Sequence, residues 1–293
     1  MDKQVEVDES ARADEIDYHG VHQVLPELAY KRLAMVNIMY FGLPGSKEWV
    51  LIDAGLPATA PMIVAAAEAR FGRNVPPAAI VLTHGHVDHV GGLATLAEKW
   101  DVPIYAHVEE KPFLDGTEAY QPPDPSVGGG VMSQLAVLFP RGPFDFSRWL
   151  RTLPEDGAVP GMPGWKWIHT PGHTPGHVSL WREADRTIIA GDAFITTKQE
   201  SAYAVATQRP ELHGPPMYFT PDWARAKTSV EKLAALQPEL AVTGHGRALQ
   251  GPEMRRALDT LAREFDAVAV PAHGRYVTPE VRRRMGAQPE ESA

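Results

Sequence analysis

The stretch AIVLTHGHVDHVGG, residues 79–92, constrains this chain more than any other. A short apolar run, Ala79 to Thr83, reads as a buried strand. It leads directly into His84, His86, Asp88 and His89, four metal-ligating side chains within six positions. Residues two apart in an extended segment project the same way, so His84 and His86 face a common point. Asp88 and His89 follow after a turn and can face a second point nearby. Gly85, Gly91 and Gly92 remove side-chain bulk, which lets the loop turn tightly around an ion. Neutral imidazoles and a carboxylate are natural ligands for zinc and similar divalent ions. The plain alternative is a His-rich loop without a metal. It fits a lone His-x-His better than this longer pattern.

Three further segments share the same setting: Pro171-Gly172-His173-Thr174-Pro175-Gly176-His177, Gly191-Asp192 and Gly244-His245-Gly246. Each follows an apolar strand-like run and is bracketed by Gly or Pro. That puts their polar residues in loops at strand ends, where chemistry is usually sited. Around them the chain alternates. Strands are expected over 33–41, 48–52, 79–83, 103–106, 165–169, 177–182, 187–190 and 240–243, and helices over 59–71, 93–100, 131–139, 222–236 and 252–265. Strand and helix in alternation favour an α/β fold.

The domain reading is a flexible polar tail over 1–20, a single domain over 21–270 and a C-terminal tail over 271–293. Residues 111–164 are rich in Pro, Gly and aromatics and read as an insertion, either a lid or a surface excursion. With no cysteine among the 293 residues, disulfides, thiolate ligands and a Cys nucleophile are excluded. The net charge of −9 and the lack of a basic stripe argue against nucleic acid and anionic membranes as partners. The acidic start lacks the pattern of a signal peptide, and no apolar run reaches about 18 residues, so a cytoplasmic chain without a membrane span is expected. The expected partner is a small-molecule substrate, with a homodimer as the one assembly considered.

In order and spacing, HGHVDH, PGHTPGH, GD and GHG resemble the metal-binding motifs of the metallo-β-lactamase superfamily, over about residues 33 to 250. The resemblance implies a four-layer αββα sandwich with metals at one edge. It implies that His84, His86 and His173 bind a first metal ion and that Asp88, His89 and His245 bind a second, with Asp192 bridging both. Spacing alone does not separate His173 from His169 and His177. The resemblance selects His173, because it follows Pro-Gly and precedes Thr, and leaves His169 and His177 as structural or supporting groups. Asp53, at the end of a Leu-Ile-Asp-Ala-Gly run, matches an acid that supports a ligand histidine. A turn-forming Asp is the other reading.

The chemistry this implies is hydrolysis. Two divalent ions, zinc first with manganese or iron as alternatives, share a water held as hydroxide, and Asp88 is the catalytic carboxylate best placed to orient that hydroxide or take its proton. Asp192 points to the glyoxalase II, lactonase and phosphoesterase branches rather than to true β-lactamases. The short region after His245 does not match the glutathione-binding part of glyoxalase II. Ala193, Phe194 and Ile195 stand where quorum-quenching lactonases carry a Tyr. A small, partly apolar ester, thioester or lactone remains. Phe139, Phe144, Phe146, Trp149, Phe194, Tyr218 and Phe219 are offered as pocket wall, against a plain core role. The competing functions are an iron-dependent oxidoreductase on the same scaffold and a weakly catalytic small-molecule-binding protein.

Overall fold

Every residue of the runs Val36–Phe41 and Thr187–Gly191 is buried, so neither alternates in sequence. The computed structural model describes residues 5–18, 20–199, 201, 203 and 209–284. Among these, β1 (Val5–Glu6) pairs with β13 (Glu211–Leu212) in a short ribbon. An eight-stranded sheet runs in chain order through β2 (Ile16–Asp17), β3 (His22–Leu25), β4 (Leu28–Leu33), β5 (Val36–Phe41), β6 (Val50–Ile52), β7 (Ala79–Val81), β8 (Ile104–Ala106) and β9 (Leu150–Thr152). A five-stranded sheet holds β10 (Trp165–His169), β11 (Val178–Arg182), β12 (Thr187–Gly191), β14 (Leu240–Thr243) and β15 (Leu249–Gln250).

The period-2 geometry of the strands sorts their side chains into separate cores. Leu28, Tyr30, Met39, Val50, Ile52 and Val81 of the larger sheet meet Val178, Leu180, Ile189, Leu240 and Val242 of the smaller one, around Trp165. Their neighbours Ile38, Tyr40, Leu51 and Ile80 turn the other way, onto helices α1 (Ala60–Phe71) and α3 (Leu93–Trp100); the single turn α2 (Val87–Val90) precedes α3. On the far side, Ile188, Ala190 and Ala241 pack under two later helices. The first covers Trp223–Ala235 and buries Trp223, Ala226, Val230 and Leu233. The second covers Gly251–Arg263 and buries Met254, Ala257, Leu258 and Leu261. Both sets follow the i, i+3, i+4, i+7 stripe of an amphipathic helix. The layers are therefore helix, sheet, sheet, helix, the αββα sandwich. No helix among the described residues is long and apolar enough to cross a membrane.

Four expectations need correction. The strand expected over 33–41 covers only Val36–Phe41, because Ala34 takes a left-handed φ of 58° and turns β4, which ends at Leu33, into β5. No Gly or Asn marks that turn. Residues 5–18, read as a tail, are tied down: Ala13 N–H donates to Ala248 O, and Glu15 accepts from Tyr30 and pairs with Arg247. The span 111–164 is not all insertion, since β9 extends the larger sheet beside β8 and Phe146 lies in the core over α1 and α3. Beyond residue 270, Val277 and Val281 pack into the core under the two later helices.

The parallel pairs β6–β7 and β12–β14 bring their C-terminal ends to one edge of the sandwich. There the sheets are stitched together. Val178 N–H donates to Thr83 O, and the Asn37 amide donates to Thr243 O and Gly246 O. The four His- and Asp-bearing segments leave from this edge.

Candidate metal centre

β7 ends at Val81, and the loop after it delivers His84 and His86 before α2 supplies Asp88 and His89. The loop between β10 and β11 brings His173, the end of β12 brings Asp192, and the end of β14 brings His245. All seven side chains meet and are buried. Their ligand atoms fall into three overlapping groups, each within 4.8 Å: His84–His86–His173, His84–His89–Asp192 and Asp88–His89–His245. Asp192 Oδ2 lies 3.1 Å from His245 Nε2, 3.5 Å from His173 Nε2 and 3.6 Å from His89 Nε2, so it stands between the outer groups.

Hydrogen bonds fix which ring nitrogen of each histidine faces inward. His89 Nδ1–H donates to Asp53 Oδ2 (2.9 Å) and His245 Nδ1–H to Met35 O (2.7 Å). The Met35 carbonyl is available because it lies in the β4–β5 turn. His173 Nδ1–H donates to Thr220 Oγ1 (3.1 Å). Thr83 donates its hydroxyl to Asp53 Oδ2 (2.8 Å), so its oxygen accepts His84 Nδ1–H at 3.0 Å. In all four rings Nε2 is left for the centre. His86 differs and turns Nδ1 inward, 2.9 Å from His173 Nε2.

Burial pushes His84 and His173 well below the ordinary imidazole range and His86 to about 4. These three favour the neutral form that ligates a metal. At the other group burial is outweighed. Asp192, Asp53 and Asp88 raise His89, and Asp192 and Asp88 raise His245. Asp192 itself, despite its burial, is held well below the usual carboxylate range by His245 and His89. The acids of this group call for positive charge in their midst. His84 Nε2, His89 Nε2 and Asp192 Oδ1 are buried with no hydrogen-bond partner. Neutral nitrogens, carboxylates and unpaired atoms at one point fit a divalent cation.

His177 does not join the cluster. Its Nε2 accepts Asp192 N–H at 2.9 Å and its Nδ1 meets Thr170 Oγ1, so it braces the Asp192 loop from behind. His169 bonds to Pro175 O and stacks on His107. Thr83, Thr220 and the Met35 carbonyl carry no sequence signal, since each acts only through the fold.

A cavity opens beside His86 and His173, lined by Phe113, Tyr120, Pro122, Phe219 and Tyr276. Of the seven aromatics offered as pocket wall, Phe219 lines it, with its ring centroid 4.8 Å from that of His86. Phe139 stacks behind Phe219, and Tyr218 is buried against Val127 and Ala136. Phe194 lies in the core under the later helices, and Phe144, Phe146 and Trp149 pack in the core over α1 and α3. Tyr276 comes from the segment read as a C-terminal tail. Tyr120 comes from the Pro-rich span, and its ring meets both His86 and Phe113.

The family model described as the metallo-beta-lactamase superfamily matches residues 32–245. The chain is 45% identical over 250 residues to the probable metallo-hydrolase YflN of Bacillus subtilis (strain 168), covering 85% of this chain and 92% of that protein. It is 32% identical over 173 residues to the probable metallo-hydrolase YybB of the same organism, covering 59% and 66%. Among solved structures, the Rm3 metallo-beta-lactamase aligns with a TM-score of 0.58 at 21% identity, over 88% of this chain and 95% of that one. TTHA1623 in a di-iron-bound form aligns with a TM-score of 0.52 at 24% identity, over 78% and 93%. The layer order, the edge-sited histidine and aspartate cluster and a family match that runs from residue 32 to His245 agree, and the chain belongs to the metallo-beta-lactamase superfamily.

Proposed function

We propose that the chain is a hydrolase of the glyoxalase II and lactonase-like branch, holding two divalent ions, zinc first among them, and cleaving a small neutral ester, thioester or lactone. One observation carries this reading: His84, His89 and Asp192 form one group of potential ligands, and each carries a buried polar atom without a hydrogen-bond partner. Each unpaired buried polar atom costs about 1–3 kcal/mol, which a cation among them removes. His84, His86 and His173 would hold one ion and Asp88, His89 and His245 the other, with Asp192 between. Bound there, the ions would supply Lewis acidity toward the substrate carbonyl and lower the pKa of a water.

The chain's own residues supply the rest. Asp88, whose side chain is 11% exposed while its Oδ2 lies 3.5 Å from His245 Nε2, would orient the attacking water and take its proton. Phe113, Tyr120 and Phe219 would pack on the acyl group and keep bulk water away. The described residues lining the cavity include no Lys, Arg, Asp or Glu. That wall suits a neutral substrate better than a phosphoester or a glutathione conjugate.

An iron-dependent redox enzyme is the second reading, prompted by the di-iron-bound form of TTHA1623. The test is elemental analysis of protein purified without added metal, paired with hydrolysis of an aryl ester, a thioester and a lactone before and after chelation. About two zinc or manganese ions per chain and chelator-sensitive hydrolysis support the proposal. Firmly held iron without hydrolysis of any of the three would replace it with the redox reading.

A further inference from the structure

Glu110 is fully buried at the turn just before the helix Lys111–Leu114, and the four hydrogen bonds to its carboxylate come from none of the candidate ligand side chains. Its Oε2 accepts Gly85 N–H at 3.0 Å and also the Tyr120 hydroxyl. Its Oε1 accepts the Thr174 hydroxyl at 2.6 Å and Gly176 N–H at 2.8 Å. Gly85 sits between His84 and His86, and Thr174 follows His173. One carboxylate therefore spans two loops that are distant in sequence and carry three histidines of one group. The approach is close. A Cβ on Gly85 would lie 2.4 Å from the Tyr120 hydroxyl, and one on Gly176 would lie 2.6 Å from Glu110 N. The Asp88–His89–His245 group receives no bond from Glu110.

We propose that Glu110 is a positioning residue whose carboxylate sets the spacing between the His84–His86 loop and the His173 loop, and so the metal affinity of that three-histidine group. This rests on the metal-centre reading above. The chemistry demands a carboxylate. Four donors converge on it, and two are backbone N–H groups that cannot reverse their role. An amide at this position turns an NH2 toward one of those N–H groups whichever way it is rotated. One loop is then released, while the cores on either side of the sheets are untouched.

The test titrates metal-free wild type, Glu110→Gln and Thr174→Val with Co2+ against a competing chelator. Visible absorption follows binding, and the melting temperature of each metal-free protein is measured alongside. Wild type is expected to take up two equivalents. In Glu110→Gln one step weakens about 10–100-fold with a changed cobalt spectrum, while the other keeps the wild-type affinity. Thr174→Val, which removes one donor and keeps both backbone bonds, shifts the same step by a smaller factor. A lowered melting temperature with both cobalt affinities unchanged overturns the proposal and leaves Glu110 as a brace of the fold. If Glu110→Gln does not fold, Thr174→Val decides alone, and unchanged affinities there overturn it. Wild type that takes up no cobalt sinks the metal-centre reading and this proposal together, and does so before any variant is compared.

Discussion

Asp53 Oδ2 accepts His89 Nδ1–H at 2.9 Å and, on the same oxygen, the Thr83 hydroxyl at 2.8 Å. Asp53 is fully buried and takes a left-handed φ of 61°. Asp and Asn tolerate that backbone better than other side chains with a Cβ. Asp53→Asn therefore keeps shape and backbone but removes the charge that raises the basicity of His89. The expected outcome is a loss of about 10–100-fold in zinc affinity at the Asp88–His89–His245 group, with the fold kept. Competition against a zinc chelator reads it, and wild-type affinity in the variant would exclude Asp53 from any supporting role.

Gly244 and Asp192 are matched by size. A Cβ on Gly244 would lie 2.0 Å from Asp192 Oδ1 and 2.9 Å from His89 Cε1. No small adjustment absorbs a 2.0 Å contact, so Gly244→Ala must displace the Asp192 carboxylate. Asp192→Ala is expected to lose at least one metal equivalent and nearly all hydrolysis while its metal-free circular dichroism stays that of wild type. Gly244→Ala should reproduce part of that loss without touching a ligand. Full metal content and wild-type rate in Asp192→Ala would remove it from the bridging position.

The sequence made the side chains of the candidate centre legible because metal chemistry at a strand end needs particular residue types, and a buried strand followed by Gly and His leaves a local trace. Groups that act from behind left none. The turn at Ala34 that presents the Met35 carbonyl to His245 has no Gly or Asn to announce it. Thr220 meets His173 from 47 residues away. Glu110 has nothing in the sequence to set it apart from Glu109 beside it, and only the fold shows that its carboxylate holds two loops of the candidate centre. The same limit governed the aromatics. Phe194 and Phe219 are alike in sequence, yet one lies under the later helices and the other beside His86.

Phe219 gives the cleanest test of substrate contact, because it bonds to no ligand and lines the cavity. Burying a phenyl ring against an apolar acyl or aryl group contributes about 1.5–3 kcal/mol when complete, so partial contact corresponds to about a tenfold effect. Phe219→Ala is expected to raise KM for an aryl ester by about that factor while kcat and metal content hold. That pattern marks binding shared by ground state and transition state. A fall in kcat with unchanged KM would instead place the ring in support of His86.

Acid should unfold the metal-free protein through its buried imidazoles. Burial holds His84 and His173 well below the ordinary range, His86 at about 4 and His177 at about 3. In the unfolded chain each titrates near 6.5. Between those values the unfolded state binds protons that the folded state refuses, so the stability is full above about pH 6.5 and is lost as pH falls toward 3–4. The slope is about 1.4 kcal/mol per pH unit for each such group. His89 and His245 are raised by their carboxylates and so are protonated in both states below pH 6.5. They add no slope in this window, and what they contribute is lost only as pH rises above it. The melting temperature of chelator-treated protein should therefore drop from pH 7 to pH 5. A flat or rising profile would mean that these histidines are already charged, or open to water, in the folded chain.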